Sequence, residues 1–350
     1  MRSNSVLRVA LTLLLALGAA ALCVWLRTPL PWMIGPLLAT ALASMLRAPT
    51  ASWGPLRNAG QCVIGIALGL YFTPQVAALV GSLWWAIALG IAWALLLGAL
   101  FGAWLQRLHA HRLPGLNRAT TWFAGAIGGA SEMTLLAERA GGRTELVASA
   151  HSMRVLMVTV LIPFGMQFSG LHGLDLLPAT VRDVHWDGLA LLGVLAAMAA
   201  GVLQRLDRAN PWFMGALVVA MGLTMAGIEL SALPTWLSNA AQLVIGVSLG
   251  VRFNPAFVHT APRWLASVAG GTLVMMVACA VFAWGLAQLT RLHPATLVLA
   301  TSPGGIAEMS ITAKVLQLGA PVVTAFQVCR LVAVLLLLEP LYRWRYQRQG

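Results

Sequence analysis

The chain is predicted to be an all-α polytopic membrane protein made of two tandem homologous halves. Three observations carry this expectation. Of its 350 residues 59% are hydrophobic and only 9% charged, where a soluble domain has about 25% charged residues. Apolar runs of membrane-helix length recur from end to end, without the strict alternation of a transmembrane strand. The sequence also repeats itself, block by block and in the same order.

The repeat shows in three blocks. Pro31-Trp32-x2-Gly35 matches Pro211-Trp212-x2-Gly215. Asn58 to Pro74 matches Asn239 to Pro255, with ten of seventeen positions identical. Leu116 to Ala137 matches Leu292 to Ala313 at an offset of 176, and that offset carries Arg154 onto Arg330. One order at nearly one spacing reads as a duplication. The first half is placed at 1–170, a polar connection at 171–187 and the second half at 188–350. Arg2 and Arg8 precede an apolar run, as in a signal peptide. A retained helix is expected instead, because Leu189 to Leu206 precedes Pro211 as Leu11 to Leu26 precedes Pro31.

Each half offers six apolar segments. In the first they run Leu7–Leu26, Trp32–Leu46, Ala59–Phe72, Leu83–Leu105, Ala119–Ala137 and Leu146–Phe168. The second half mirrors them from Leu189 to Tyr342. The fifth is expected to break, since it carries Gly128-Gly129, or Pro303-Gly304-Gly305, within its apolar run. A fifth segment that enters and leaves on one side gives five spans per half and inverted repeats. Six full spans give parallel halves. Positive charge favours inversion: with ten spans and the N-terminus inside, only Arg27, Arg182, Arg291 and Lys314 fall outside. The acidic Asp175, Asp183 and Asp187 then also lie outside. An inner membrane location with both termini cytoplasmic is the corresponding expectation.

The net charge of +12 fits basic cytoplasmic loops better than nucleic-acid binding, for no DNA-reading module has room here. Cys23, Cys62, Cys279 and Cys329 have neither metal-ligand nor disulfide spacing. No P-loop, HExxH or dinucleotide fingerprint is present. No metal or organic cofactor is expected, and the protein is not expected to be an enzyme.

The candidate chemistry lies at the breaks. Glu132 and Glu308 each follow a glycine pair by three residues, and a carboxylate in an apolar segment is costly enough to suggest function. Paired interrupted segments point to a transporter's central site, where unwound carbonyls coordinate cations and freed N–H groups hold anions. The candidate set includes Gly128, Gly129, Ser131, Gly304 and Gly305, with H⁺ or Na⁺ as coupling ion. The alternative is that the glycines pack helices and each Glu caps the restarting one. Arg154 and Arg330 follow their glutamates by 22 residues. They are expected to pair with those glutamates, to hold a carboxylate substrate, or to snorkel to the interface. Asn58, Gln61, Asn239 and Gln242 line one helix face in each half; they bond between helices or line the same cavity as the glutamates. Gly65-x3-Gly69 and Gly246-x3-Gly250 read as packing faces. His151 suggests a proton relay, weakened by its counterpart being Gln327.

The blocks Gly128-Gly129-x2-Glu132-Met133 and Ser302-Pro303-Gly304-Gly305-x2-Glu308-Met309, with the Pro-Trp and Asn-x2-Gln motifs, resemble the AbrB-type duplicated membrane proteins of bacteria. The resemblance covers nearly the whole chain. It implies an inner-membrane protein whose family labels are regulation of gene expression and ammonia monooxygenase. Neither label finds its chemistry in the residues: there is no copper or iron ligand cluster and no DNA-reading element. The expected function is ion-coupled secondary transport or export of a small solute. A membrane sensor acting indirectly on gene expression is the alternative, and an intramembrane enzyme the third reading. The expected partners are the bilayer and the solute, with no direct nucleic-acid contact; self-association stays open.

Overall fold

The structure, a computed structural model, describes residues 2–111, 113, 115–169, 183–253 and 262–347. Among the described residues there are α-helices and no strands. They are α1 (Arg2–Trp25), α2 (Pro31–Met45), α3 (Gly54–Gly69), α4 (Pro74–Ser82), α5 (Trp84–His109), α6 (Arg118–Gly125), α7 (Ala130–Arg139) and α8 (Thr144–Phe168). There follow α9 (Trp186–Arg205), α10 (Pro211–Met225), α11 (Thr235–Gly250), α12 (Pro262–Thr290), α13 (Pro294–Thr301), α14 (Ile306–Val315) and α15 (Ala320–Tyr342). A short π-helical turn, Arg343–Gln347, ends the described chain. Residues 171–182 of the expected polar connection lie outside the described residues, as does Pro255 of the repeated block.

Six of these helices, α1, α5, α8, α9, α12 and α15, are long and apolar enough to cross a membrane. The protein is therefore a multi-pass helical membrane protein. A seventh crossing arises if α3 and α4 count as one span bent by 87°; Pro74 starts the second arm. The second segment of each half is shorter than expected for a span. Both α2 and α10 have 15 residues, about 22 Å at 1.5 Å per residue, against a hydrocarbon core of about 30 Å.

The chain divides into two compact units, and each draws segments from both sequence halves. One unit comprises Met1–Gly81, Pro163–Ala256 and Ser310–Pro321; the other comprises Ser82–Ile162, Phe257–Met309 and Val322–Gly350.

In the first unit small residues set the helix spacing. Pro31 and Pro211 stand at the first turns of α2 and α10, where a missing N–H costs nothing. Four residues on, Gly35 faces the backbone of α1: a Cβ there would lie 2.7 Å from Ala19 O. Gly215 faces α9 in the same way, with its Cβ 2.7 Å from Ala200 Cα. The repeated Pro-Trp-x2-Gly motif is thus a helix start followed by a close helix crossing. The two Gly-x3-Gly faces work between halves. Gly65 and Gly69 of α3 lie on α10, and Gly246 and Gly250 of α11 lie on α2. A Cβ at Gly69 would sit 2.6 Å from Ala220 Cβ and 2.8 Å from Leu217 O. Gly69→Ala should therefore cost about 1–3 kcal/mol by overpacking. Gly222→Ala in α10, where a new Cβ meets nothing within 4 Å, should not destabilise. Thermal unfolding of the two purified variants separates them; equal midpoints would remove the crossing as the reason for the motif.

Candidate functional site

Both breaks, with the glutamates that follow them, lie in the second unit; α14 from Ser310 onward is grouped with the first unit. The first broken segment is α6, the break 126–129, and α7; the second is α13, the break 302–305, and α14. In each the leading half-helix has 8 residues and the restarted one has 10. The leading helices begin on side-chain caps. Asn117 Oδ1 accepts from Thr120 N at 2.9 Å, and His293 Nδ1 accepts from Ala295 N at 3.3 Å. They end alike: Ala126 and Ser302 leave the helix extended, at φ −58°, ψ 141° and φ −59°, ψ 149°. The break expected from the glycines and Pro303 is present in both halves.

Breaking a helix exposes orphan carbonyls on one side and orphan N–H groups on the other. The carbonyls are met by the two arginines, which lie on α8 and α15. Arg154 Nη1 donates to Ala126 O at 2.5 Å, and Nη2 to Ala124 O. Arg330 Nη1 donates to Ser302 O at 2.6 Å and Nη2 to Gly304 O at 2.8 Å. Ala126 and Ser302 are equivalent at the offset of 176, so both guanidinium groups serve the same backbone position. A cation at a helix C-terminus also opposes the negative end of the helix dipole.

This placement corrects three expectations. Neither arginine snorkels, for Arg154 is 2% and Arg330 6% exposed. The Nη groups of both donate to backbone carbonyls, and one of Arg330 also to Gln327, where the sequence paired them with the glutamates. Two donors of each fork bind backbone, and the buried Nε of each has no hydrogen-bond partner among the described residues. The unwound carbonyls, read as ligands for a bare cation, already accept from guanidinium. The physical reason is common to all three: a buried carbonyl must find a donor, and the rigid guanidinium fork satisfies two carbonyls at once.

The glutamate lies at the N–H side of each break. Glu132 and Glu308 stand third in α7 and α14, and each carboxylate folds back onto its own N-cap glycine. A Cβ at Gly129 would collide with Glu132 Oε2, and one at Gly305 with Glu308 Oε2. A carboxylate in the first turn faces the positive end of the helix dipole. Both side chains therefore lie close to the start of the restarted helix. Glu308 is buried, at 8% exposed, whereas Glu132 is half-buried. Ser131 is exposed.

Glycine is required at the first position of each pair for a different reason. A Cβ at Gly128 would lie 2.9 Å from Met133 Cε and 3.2 Å from Val334 Cγ1. One at Gly304 would lie 2.7 Å from Met309 Cγ and 2.9 Å from Val158 Cγ1. Val158 and Val334 are themselves equivalent, so each break is pressed against the long helix of the other half. The glycines admit that helix and the methionine.

Four supporting residues carry more weight than the sequence suggested. Met133 and Met309 are fully buried, and Ser302 Oγ lies 3.1 Å from Met309 Sδ. His151 and Gln327 do one job with two side chains. His151 Nε2 lies 2.9 Å from Phe123 O, and Gln327 Nε2 donates to Leu299 O at 2.8 Å. Phe123 and Leu299 are equivalent positions. Gln327 Oε1 also accepts from Arg330 Nη2 at 2.6 Å. The unlike pair His/Gln had weakened the case for this position. The signal was there: both side chains present a planar N–H donor three residues before the arginine.

The amides are elsewhere. Asn58 and Gln61 on α3 and Asn239 and Gln242 on α11 belong to the first unit, not to the unit that holds the glutamates. There α3 and α11 meet at equivalent positions, since a Cβ at Gly60 would lie 3.2 Å from Ala241 O. Gln242 is 7% exposed and the other three are partly buried or half-buried.

A family model described as "Transition state regulatory protein AbrB" matches residues 32–346, the span that holds every residue named above for the breaks. The chain belongs to the AbrB family. Among its relatives is an Escherichia coli (strain K12) protein named "Putative regulator AbrB", 27% identical, covering 93% of this chain and 92% of that protein. A Bacillus subtilis (strain 168) protein named "Uncharacterized protein YhjN" is 26% identical over 91% of this chain and 88% of its own. In this AbrB-family chain the paired breaks fall well inside the matched region.

Proposed function

We propose that this protein is a secondary transporter or exporter of a small solute, coupled to H⁺ and working by alternating access of two inverted repeats. The observation that carries the reading is the twofold break, with a guanidinium on each leading half-helix and a carboxylate on each restarted one. Such paired interruptions mark the binding region of many transporter folds. The protonatable groups are Glu132 and Glu308. H⁺ is preferred to Na⁺ because the carbonyls that would replace a sodium ion's hydration shell already accept from Arg154 and Arg330. Ten spans per chain, with the fifth segment re-entrant and both termini cytoplasmic, follow from the segregation of positive charge. The shorter α2 and α10 then cross with local thinning of the bilayer. No enzymatic step is assigned to the site.

The regulatory name of the family and of its Escherichia coli relative supports a second reading. In it the protein affects gene expression through the level of the solute it moves, without touching nucleic acid itself.

The topology is tested with single cysteines at Arg139 and Leu292 on a background lacking the native four. Inverted repeats place Arg139→Cys inside and Leu292→Cys outside, as read by a membrane-impermeant thiol reagent on intact cells. The opposite pattern at both positions corresponds to twelve full spans. It would remove the inverted-repeat basis for alternating access.

A further inference from the structure

The second unit also contains a cavity of about 500 Å³ away from the breaks, at the ends of its helices. Arg107, Arg118 and Arg345 line it, with Gln106, Trp344 and Tyr346, and no carboxylate is among its lining residues. Arg107 lies in the last turn of α5, Arg118 opens α6, and Arg345 lies on the π-helical turn after α15. Tyr346 gathers two of them: the guanidinium carbons of Arg118 and Arg345 lie 5.3 and 5.7 Å from its ring centroid. Gln106 Oε1 accepts from Thr121 at 2.8 Å, which leaves its NH₂ as a further donor. Arg343, by contrast, pairs with Glu339 and is not part of the cavity. Converging guanidinium groups without a carboxylate suit a phosphate.

Two exposed apolar stripes run into the same place. On α5, Leu89, Leu96, Leu100 and Trp104 are exposed, and their spacing puts them on one helix face that ends at Arg107. On the last helix and its π turn, Leu337, Leu341 and Trp344 are exposed and share a face that ends at the cavity. A ligand that is anionic at one end and apolar over the rest fits both features, whereas a soluble phosphate uses only the first.

We propose that this cavity holds the phosphate headgroup of an anionic membrane phospholipid, with its acyl chains along the stripes of α5 and α15. The inference does not depend on transport. Basic pockets between membrane helices bind such headgroups, and each arginine near an anionic surface contributes about a fivefold gain in affinity. Arg118 belongs to the leading half of the first broken segment, so the lipid braces that segment at the membrane surface.

The test is native mass spectrometry of the detergent-purified full chain with cardiolipin, phosphatidylglycerol or phosphatidylcholine. Wild type should retain cardiolipin and phosphatidylglycerol in preference to phosphatidylcholine. The triple variant Arg107→Gln, Arg118→Gln, Arg345→Gln should lose that preference, on the order of a hundredfold in affinity. A control variant, Arg47→Gln, Arg205→Gln, Arg208→Gln, removes equal charge from exposed sites of the other unit and should keep it. Arg107→Gln alone, at an exposed helix end, should lose about fivefold and needs no change at α6. Equal retention by wild type and triple variant, or equal loss in the control, would overturn the site. Displacement of the lipid by millimolar pyrophosphate or glycerol 3-phosphate would overturn the lipid assignment and leave a soluble phosphate as the ligand.

Discussion

Arg330→Met is expected to be among the most destabilising single changes in the protein, at about 2–4 kcal/mol. Methionine keeps the apolar volume of the stem but donates nothing. The change orphans Gly304 O, leaves Ser302 O with only the long 3.4 Å bond from Gln327 Nε2, and removes the donor from Gln327 Oε1. Each buried acceptor left unmade costs about 1–3 kcal/mol. Losing the desolvation cost of the charge recovers part of that, which keeps the total below the simple sum. Arg330→Lys should fall between: the charge remains, but a single ammonium does not reproduce the planar fork across two carbonyls. Arg154→Met should resemble Arg330→Met, because Arg154 holds the equivalent Ala126 O. Thermal unfolding in detergent orders the three variants. If Arg330→Met unfolded with wild type, the guanidinium would not be what secures the break, and its role would have to lie in the solute site.

Glu308→Gln and Glu132→Gln should have the opposite profile, with coupled flux falling to background and the fold retained. Glutamine is close to isosteric and keeps an oxygen facing the start of the restarted helix. Only the charge–dipole interaction is lost, about 0.3–1 kcal/mol. Proteoliposomes under an acid-outside gradient, loaded with a pH-sensitive dye and screened against pools of amino acids and small carboxylates, give the readout. Wild type should dissipate the gradient with one pool, and neither glutamine variant should. Coupled flux at the wild-type rate in both variants would remove the glutamates from the mechanism, even if transport itself stood.

Much of the outline was legible because it depends on local properties. Hydropathy reports the long helices directly, since the bilayer imposes a length. Paired glycines and Pro303 report the breaks, because they remove helix propensity and, at the proline, a donor. The offset of 176 aligned Glu132 with Glu308 and Arg154 with Arg330. Those pairs do share their geometry in the structure. The lengths of α2 and α10 were less legible: the apolar runs were read as spans, yet each helix stops at 15 residues.

The partners of the buried charges could not be read in this way. A sequence-level argument sees two carboxylates and two guanidinium groups in apolar surroundings and pairs them by charge. It does not see the backbone, which carries no letter of its own. Arg154 and Arg330 each bind carbonyls 26 to 30 residues upstream. Those carbonyls are orphaned only because the helix stops where it does. Likewise Asn58 and Gln61 share the amphiphilic character of the glutamates, and only the packing of α3 on α10 assigned them to another unit.

By itself, then, the sequence determined the membrane class and the positions of the breaks, both set by composition and spacing along the chain. Tertiary structure decided what closes each break. Backbone groups stripped of water must be satisfied by whichever donor or acceptor the packing brings within reach, and here the packing brings an arginine donor to the carbonyls and sets a glutamate carboxylate beside the restarting helix.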